Sequence, residues 1–274
     1  MTYKTLLVHA EPGPGADTRL KLAIGVAHMF RSKVIGLGAE ACYPVVASGY
    51  GATDAMVIEA TREQIAADLV KAKARFERTM AAAGDLESSW LVGYDLPATE
   101  LARHAGAADM VIASRPVRGA RPADTPNAAS LVLTAGVPVL FVGATDKPLE
   151  ASRVLVAWKN TRECRRALSD ALPFLMRAEK VALAAVEGEA QPADRSVLEA
   201  VAARLARHGV DVEIQTLTKG RRAVAEALEM AAGRFGADLV VMGAYGHSRL
   251  QEWVLGGATE DTLVDSSKYV LFSH

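Results

Sequence analysis

The sequence predicts an α/β protein built as two doubly wound parallel-sheet domains in tandem. Three observations predict it. First, the 274 residues suit two domains of ordinary size. Second, short β-branched apolar runs without strict alternation are interleaved with helical segments. That pattern suits a parallel sheet covered on both faces, with right-handed crossovers. Third, the chain repeats itself. The run beginning at Lys4 restarts at Arg153, Ala107-Ala-Asp109 returns as Gly236-Ala-Asp238, and Pro138-Val-Leu-Phe returns as Tyr269-Val-Leu-Phe, at offsets of 149, 129 and 131 residues. A near-constant offset means two copies of one unit, here residues 1–148 and 149–274.

In the first copy, Lys4–His9 reads as a strand. A Gly/Ala-rich insertion, Ala41–Ala52, follows the second strand and leads into a long helix from about Asp54. Ala107–Ser114 matches the later run Gly236–Gly243 and reads as its counterpart. From Thr125 to Thr145 no residue is charged, but Pro126, Asn127, Gly136 and Pro138 divide this stretch. It reads as a short helix, Asn127–Ala135, a Gly136 stop and a closing strand, Pro138–Val142, rather than a membrane span. The linker, Gly143–Ser152, is polar and turn-rich.

In the second copy, the strand Arg153–Trp158 precedes a helix, Thr161 to about Met176, with Asn160 as cap and Glu163 in a capping-box-like place. A strand (Lys180–Val186), a helix (Asp194–His208, ended by Gly209), a strand (Val210–Leu217) and a helix (Arg221–Phe235, ended by Gly236) follow. The strand Ala237–Met242 then enters Gly243-Ala-Tyr-Gly246-His247-Ser248-Arg249, which runs on to Gly256-Gly257. A helix, Ala258–Val264, and a last strand close the copy. Val139–Val142 and Val270–Phe272 are apolar closing strands, edges expected to pair.

The glycine-bearing loop carries the chemistry. Between a strand and a helix N-terminus, glycines admit an anion to backbone N–H groups and the helix dipole attracts it. Turn geometry alone is the competing reading. His247, Ser248 and Arg249 offer contacts to phosphate oxygens or face solvent. Ligands of doubly wound sheets bind at the carboxyl ends of strands, which places Ala157, Trp158, Lys159 and Val186 near the same crevice. Trp158 either stacks on a ligand or belongs to the core. The first copy has Ser114 where Gly243 stands, then a proline-interrupted basic stretch with Arg115, Arg118 and Arg121, and so lacks the loop.

These blocks resemble the universal stress protein family. Gly, two residues, Gly, nine residues, Gly is similar to its nucleotide loop. Val154–Pro173 looks like its first strand and helix, and Ala237–Gly243 like its fourth strand. The resemblance implies a Rossmann-like, adenine nucleotide alpha hydrolase-like fold, frequent dimers and, in some members, bound ATP; others bind no nucleotide. Two positions depart from the pattern. Lys159 stands where an Asp is common and cannot accept from ribose hydroxyls. Gly257 replaces a Ser or Thr, although Thr259 offers a hydroxyl nearby.

Several classes are excluded. A net charge of −1, from 31 basic and 32 acidic residues, gives no electrostatic footprint for nucleic acid. No Gly-Lys dipeptide occurs, hence no Walker A motif. Cys42 and Cys164 have no metal or redox spacing, which, with no apolar leader, agrees with a cytoplasmic protein. The expectation is a stress-response sensor or regulator holding ATP or a related adenine nucleotide, with Mg²⁺, through Ala157, Trp158, Lys159, Val186, Gly243, Gly246, His247, Ser248, Arg249, Gly256, Gly257 and Thr259. A protein partner and homodimerisation are expected; nucleic acid and membrane are not. A ligand-free or apolar-ligand interaction protein is one alternative. A slow ATP hydrolase is another, with Glu187 and Asp238 as carboxylate candidates, Asp238 lying at the wrong end of its strand.

Overall fold

The computed structural model describes residues 2–11, 13, 15–41, 51–115, 126–143, 145, 147–187, 194–218, 224–244 and 268–274. The first half runs β1 (Thr5–His9), α1 (Gly15–Phe30), β2 (Lys33–Ala39), α2 (Gly51–Ala82), β3 (Ser88–Gly93), α3 (Pro97–His104), β4 (Met110–Ala113), α4 (Ala128–Thr134) and β5 (Val139–Phe141). The second runs β6 (Arg153–Trp158), α5 (Arg162–Asp170), α6 (Leu172–Leu175), β7 (Lys180–Glu187), α7 (Arg195–Ala206), β8 (Val212–Thr218), α8 (Val224–Phe235), β9 (Leu239–Gly243) and β10 (Tyr269–Ser273).

One ten-stranded sheet results, rather than two sheets set side by side. Its order, β3-β2-β1-β4-β5-β10-β9-β6-β7-β8, is the same arrangement read from either end. Every pairing is parallel except the central one, where β5 and β10 run antiparallel with Val139 opposite Phe272 and Phe141 opposite Val270. The closing strands therefore pair as their apolar sequences predict. All six of these paired residues are buried. The helix pairs α1/α2 and α5/α7 share the core of one face, around Leu20, Phe76, Leu168 and Leu198. The helices α3, α4 and α8 cover the other, around Leu101, Leu131 and Leu228.

Side chains reinforce the seam on both faces. Tyr3, Phe30 and Phe174 form a triangle of rings with centroids 5.0–5.3 Å apart, and Arg177 lies over Phe30. On the opposite face Phe141 meets Phe272 edge-on. Edge and tilted geometries of this kind add to what burial alone contributes. The Tyr3 hydroxyl donates to the Asp170 carbonyl, Tyr269 to the Lys147 carbonyl, and the buried Arg115 to the Lys268 carbonyl.

Local signals behave as their chemistry requires. Asn127 and Asp194 cap α4 and α7, accepting from Ser130 N–H and from Ser196 and Val197 N–H. Gly136, Gly209 and Gly236 adopt φ of +67°, +76° and +71° and stop their helices. The uncharged stretch 125–145 resolves into α4 and β5. Among the described residues no helix is long and apolar enough to cross a membrane.

Two helix expectations are corrected. Thr161, not Asn160, is the N-cap of α5 and accepts from Cys164 N–H at 3.4 Å; the Asn160 side chain instead receives Arg165. The single helix expected over 161–176 is two, α5 and α6, divided at Ala171. Pro173 has no N–H to continue the α5 ladder and falls in the first turn of α6, the helical position that tolerates it.

Candidate functional site

The carboxyl ends of β6, β7 and β9 lie side by side. Trp158 stands opposite Ala185, and Ala157 lies between Ala184 and Met242. Strand alternation sends neighbours to opposite faces. Ala157 joins the core under α8, with Val186 and Met242 packed on it, while Trp158 joins the core under α5 with Cys164 and Leu168. Trp158 is only 8% exposed; of its two readings the structure supports the core one. Lys159 follows it as an exposed residue.

Gly243 ends β9 against the N-terminal turn of α5. A Cβ there would lie 2.4 Å from the Cys164 nitrogen and 2.5 Å from the Glu163 carbonyl carbon. The residue is glycine because strand and helix backbones meet at that point. Glu163 is buried in this turn and receives Arg162 at 3.2 Å. Burial would raise its carboxyl pKa. The backbone, Thr161 and Arg162 contacts outweigh that and hold it below the ordinary value. Gly246, His247, Ser248, Arg249, Gly256, Gly257 and Thr259, with the helix expected over 258–264, lie outside the described residues. So do Arg118 and Arg121, most of the 41–52 insertion and the Glu187 side chain.

Asp238 has a structural task. Its carboxylate accepts from the backbone N–H of Glu150, Ala151 and Arg153, holding the left-handed turn at Ala151, φ +52°. Asp109 does the same in the first half, accepting from Lys4 and Thr5 N–H at 2.6 and 2.9 Å. The repeated Ala-Asp pair thus pins the start of β6 and of β1, at the end of the sheet away from the site. Among the described residues no His/Cys/Asp/Glu group could hold a metal ion.

At the matching strand ends of the first half the structure shows what sequence reasoning passed over. His9 ends β1 fully buried, and Arg19 in the second turn of α1 is also fully buried. Arg19 Nε donates to the His9 carbonyl at 2.8 Å, Nη1 donates to Ser114 Oγ beyond β4, and Nη2 pairs with the Glu11 carboxylate. His9 Nδ1 lies 2.9 Å from the same carboxylate oxygen. Burial lowers the His9 pKa, opposed by Glu11, so the ring is neutral at pH 7. Burial acts to raise Glu11, but His9 and Arg19 overcome it and bring its pKa to about 2. A signal was available. Arg19 falls on the stripe Ala16, Leu20, Ala23, Val26, Ala27 and Phe30 that α1 buries, and a charge on such a stripe is paired or functional.

This geometry defines a class first: an α/β protein of two doubly wound halves fused through one sheet. Residues 151–274 match the model of the universal stress protein family, and this second half is a domain of that family. The whole chain shares its fold with a universal stress protein from Archaeoglobus fulgidus DSM 4304, TM-score 0.72 at 14% identity, covering 98% of this chain and 95% of that one. A functionally unknown protein from Pseudomonas aeruginosa PAO1 gives TM-score 0.57 at 18% identity, covering 99% and 92%. No curated protein matches the sequence at the same stringency.

Proposed function

We propose that the second half binds one adenine nucleotide, ATP with Mg²⁺ as the leading case, and that the protein works as a nucleotide-responsive sensor or regulator in the cytoplasm. The observation that carries this reading is the family match over 151–274. Within that segment β9 brings Gly243, where the glycine-bearing sequence begins, beside the carboxyl end of β6. The nucleoside would lie along Ala157, Lys159 and Val186. The phosphates would lie on backbone amides of the sequence from Gly243 to Thr259, with Arg249 adding charge. Amide donors hold phosphate alike in ground and transition states, which favours binding over turnover.

Any homodimer or protein partner would need a surface other than β5 and β10, whose edges are consumed within the chain. Among the described residues no further strand pairs with the outer strands β3 and β8.

The test is direct. Mass spectrometry of ligand released from the purified full chain, with calorimetry of ATP in Mg²⁺ and in chelator, should give an adenine nucleotide and one site per chain. Binding should be lost in Gly246→Pro, which removes an amide donor. Two equivalent sites, or an undiminished site in Gly246→Pro, would refute the assignment. No binding at millimolar ATP would favour the ligand-free interaction protein.

A further inference from the structure

The geometry points to a second, unlike binding site at the strand ends of the first half: a carboxylate site whose receptor is Arg19 and whose present occupant is the chain's own Glu11. It is independent of nucleotide binding by the second half.

The argument starts from what is buried. Arg19 is fully enclosed, and so is His9. Arg19 Nη2 and His9 Nδ1 share a single oxygen of Glu11 rather than each having a partner of its own. A guanidinium is a rigid fork matched to a planar carboxylate. Here Ser114 and the His9 carbonyl already fix two of its nitrogens, so the fork is aimed before any anion arrives. Among the described residues Glu11 is the only carboxylate in contact with it.

Glu11 is also the replaceable member. Its side chain keeps 14% exposure, whereas those of His9 and Arg19 keep none. It sits not in a strand or helix but in the connection from β1 to α1. A glycine lies on each side of its carboxylate: Cβ atoms added at Gly13 and Gly15 would come within 3.3 and 3.5 Å of the Glu11 side chain. The far side of that connection is held, since Arg75 donates to the Gly13 carbonyl at 2.7 Å and faces Asp17 at 3.6 Å. The receptor is therefore anchored while its occupant reaches water.

A buried ion pair is weak evidence for stability by itself, because desolvation offsets most of the Coulomb gain. A pair whose loop-borne partner is partly exposed can exchange that partner for a ligand making the same contacts. A ligand carboxylate would meet Arg19 Nη2 and the His9 ring, and Glu11 would turn out to solvent. The net binding is then a difference between two similar carboxylate sets, so simple anions bind weakly and the rest of the ligand sets affinity.

Acetate is the probe, titrated at constant ionic strength into the full chain while the His9 ring resonance is followed by NMR. Acetate should shift His9 and leave the other histidines still. Glu11→Ala should bind it about tenfold or more tightly, having removed the competitor, and acetate should raise the thermal midpoint of that variant more than chloride does. Arg19→Lys, which keeps charge without the fork, should weaken binding in both backgrounds. Should Glu11→Ala not fold, Glu11→Gln is titrated instead and Ser114→Ala replaces the lysine variant. No movement of His9 in any variant would overturn the proposal. So would movement in the Glu11 variants alone, which would make the pair purely structural, or binding indifferent to Arg19 and Ser114. Inorganic phosphate displacing acetate at lower concentration would overturn the carboxylate assignment.

Discussion

The two halves place different chemistry at the same point of the same fold. Where β6 ends in Trp158, Lys159 and Asn160, β1 ends in His9, Ala10 and Glu11. Where β9 ends in Gly243, pressed on the backbone of α5, β4 leads to Ser114, a hydroxyl bound to Arg19. The second half meets its helix backbone to backbone. The first meets it through a buried guanidinium. A fold sets where a cleft opens, and the residues at the strand ends set what the cleft can hold.

The sharpest way to break the comparison is Arg19→Met. It leaves Glu11 and the Ser114 hydroxyl without their cation, and should cost about 3–5 kcal/mol of stability, read by thermal or urea unfolding. The residue at the corresponding cleft of the second half, Lys159→Ala, should move the same measurement by less than about 0.5 kcal/mol, as an exposed side chain does. Comparable losses from the two substitutions would mean that the clefts are not built differently.

Next in size is Gly243→Ala. Its Cβ has no room beside Cys164, so β9 and α5 must separate, at a cost of about 1–3 kcal/mol. Nucleotide affinity of the second half should fall with it, while the acetate response of His9 should not. Ser114→Ala should do the reverse.

Acidification gives a subtler separation. The His9 pKa is lower in the folded chain than unfolded, so the unfolded state binds more protons and stability falls as pH drops below about 6.5. Glu11 is also depressed, from 4.5 to about 2, so its contribution holds above about 4.5 and is lost as pH falls toward 2. The pH–stability curve should therefore bend in two places. The upper bend should vanish in His9→Gln and the lower in Glu11→Gln. A curve flat from pH 7 to pH 5 would contradict a buried neutral His9.

The fold was legible because its determinants are local and repeated. The runs at Lys4 and Arg153 restart the same strand, glycine stops end α4, α7 and α8, and the apolar runs at Val139 and Val270 announce their pairing. What escaped was non-local. Nothing in Ala167–Phe174 shows that one helix becomes two, because Pro173 is tolerated in a first turn as well as forbidden in an interior. The Trp158 side chain turns to the face opposite Ala157 and Val186, which alternation implies once the strand is fixed. The first-half cluster escaped because no spacing in the sequence marks His9, Glu11 and Arg19 as neighbours. The informative feature was a charge on the buried stripe of α1; it and its partners Glu11 and Ser114 come from three separate segments.

The seam between β5 and β10 has a consequence of another kind. Two separate subunits joined by such a seam would need a sufficient concentration of each other, and would carry any substitution in both copies at once. Here Gly143–Ser152 tethers the partners, so their encounter is intramolecular and insensitive to dilution, and each copy has its own sequence. A change that would ruin both clefts of a symmetric pair touches only one. Cutting the tether in place should leave the halves associated only as long as their concentration exceeds the seam's dissociation constant, while removing one half should expose three consecutive apolar edge residues, Val139–Phe141 or Val270–Phe272, to any strand that meets them.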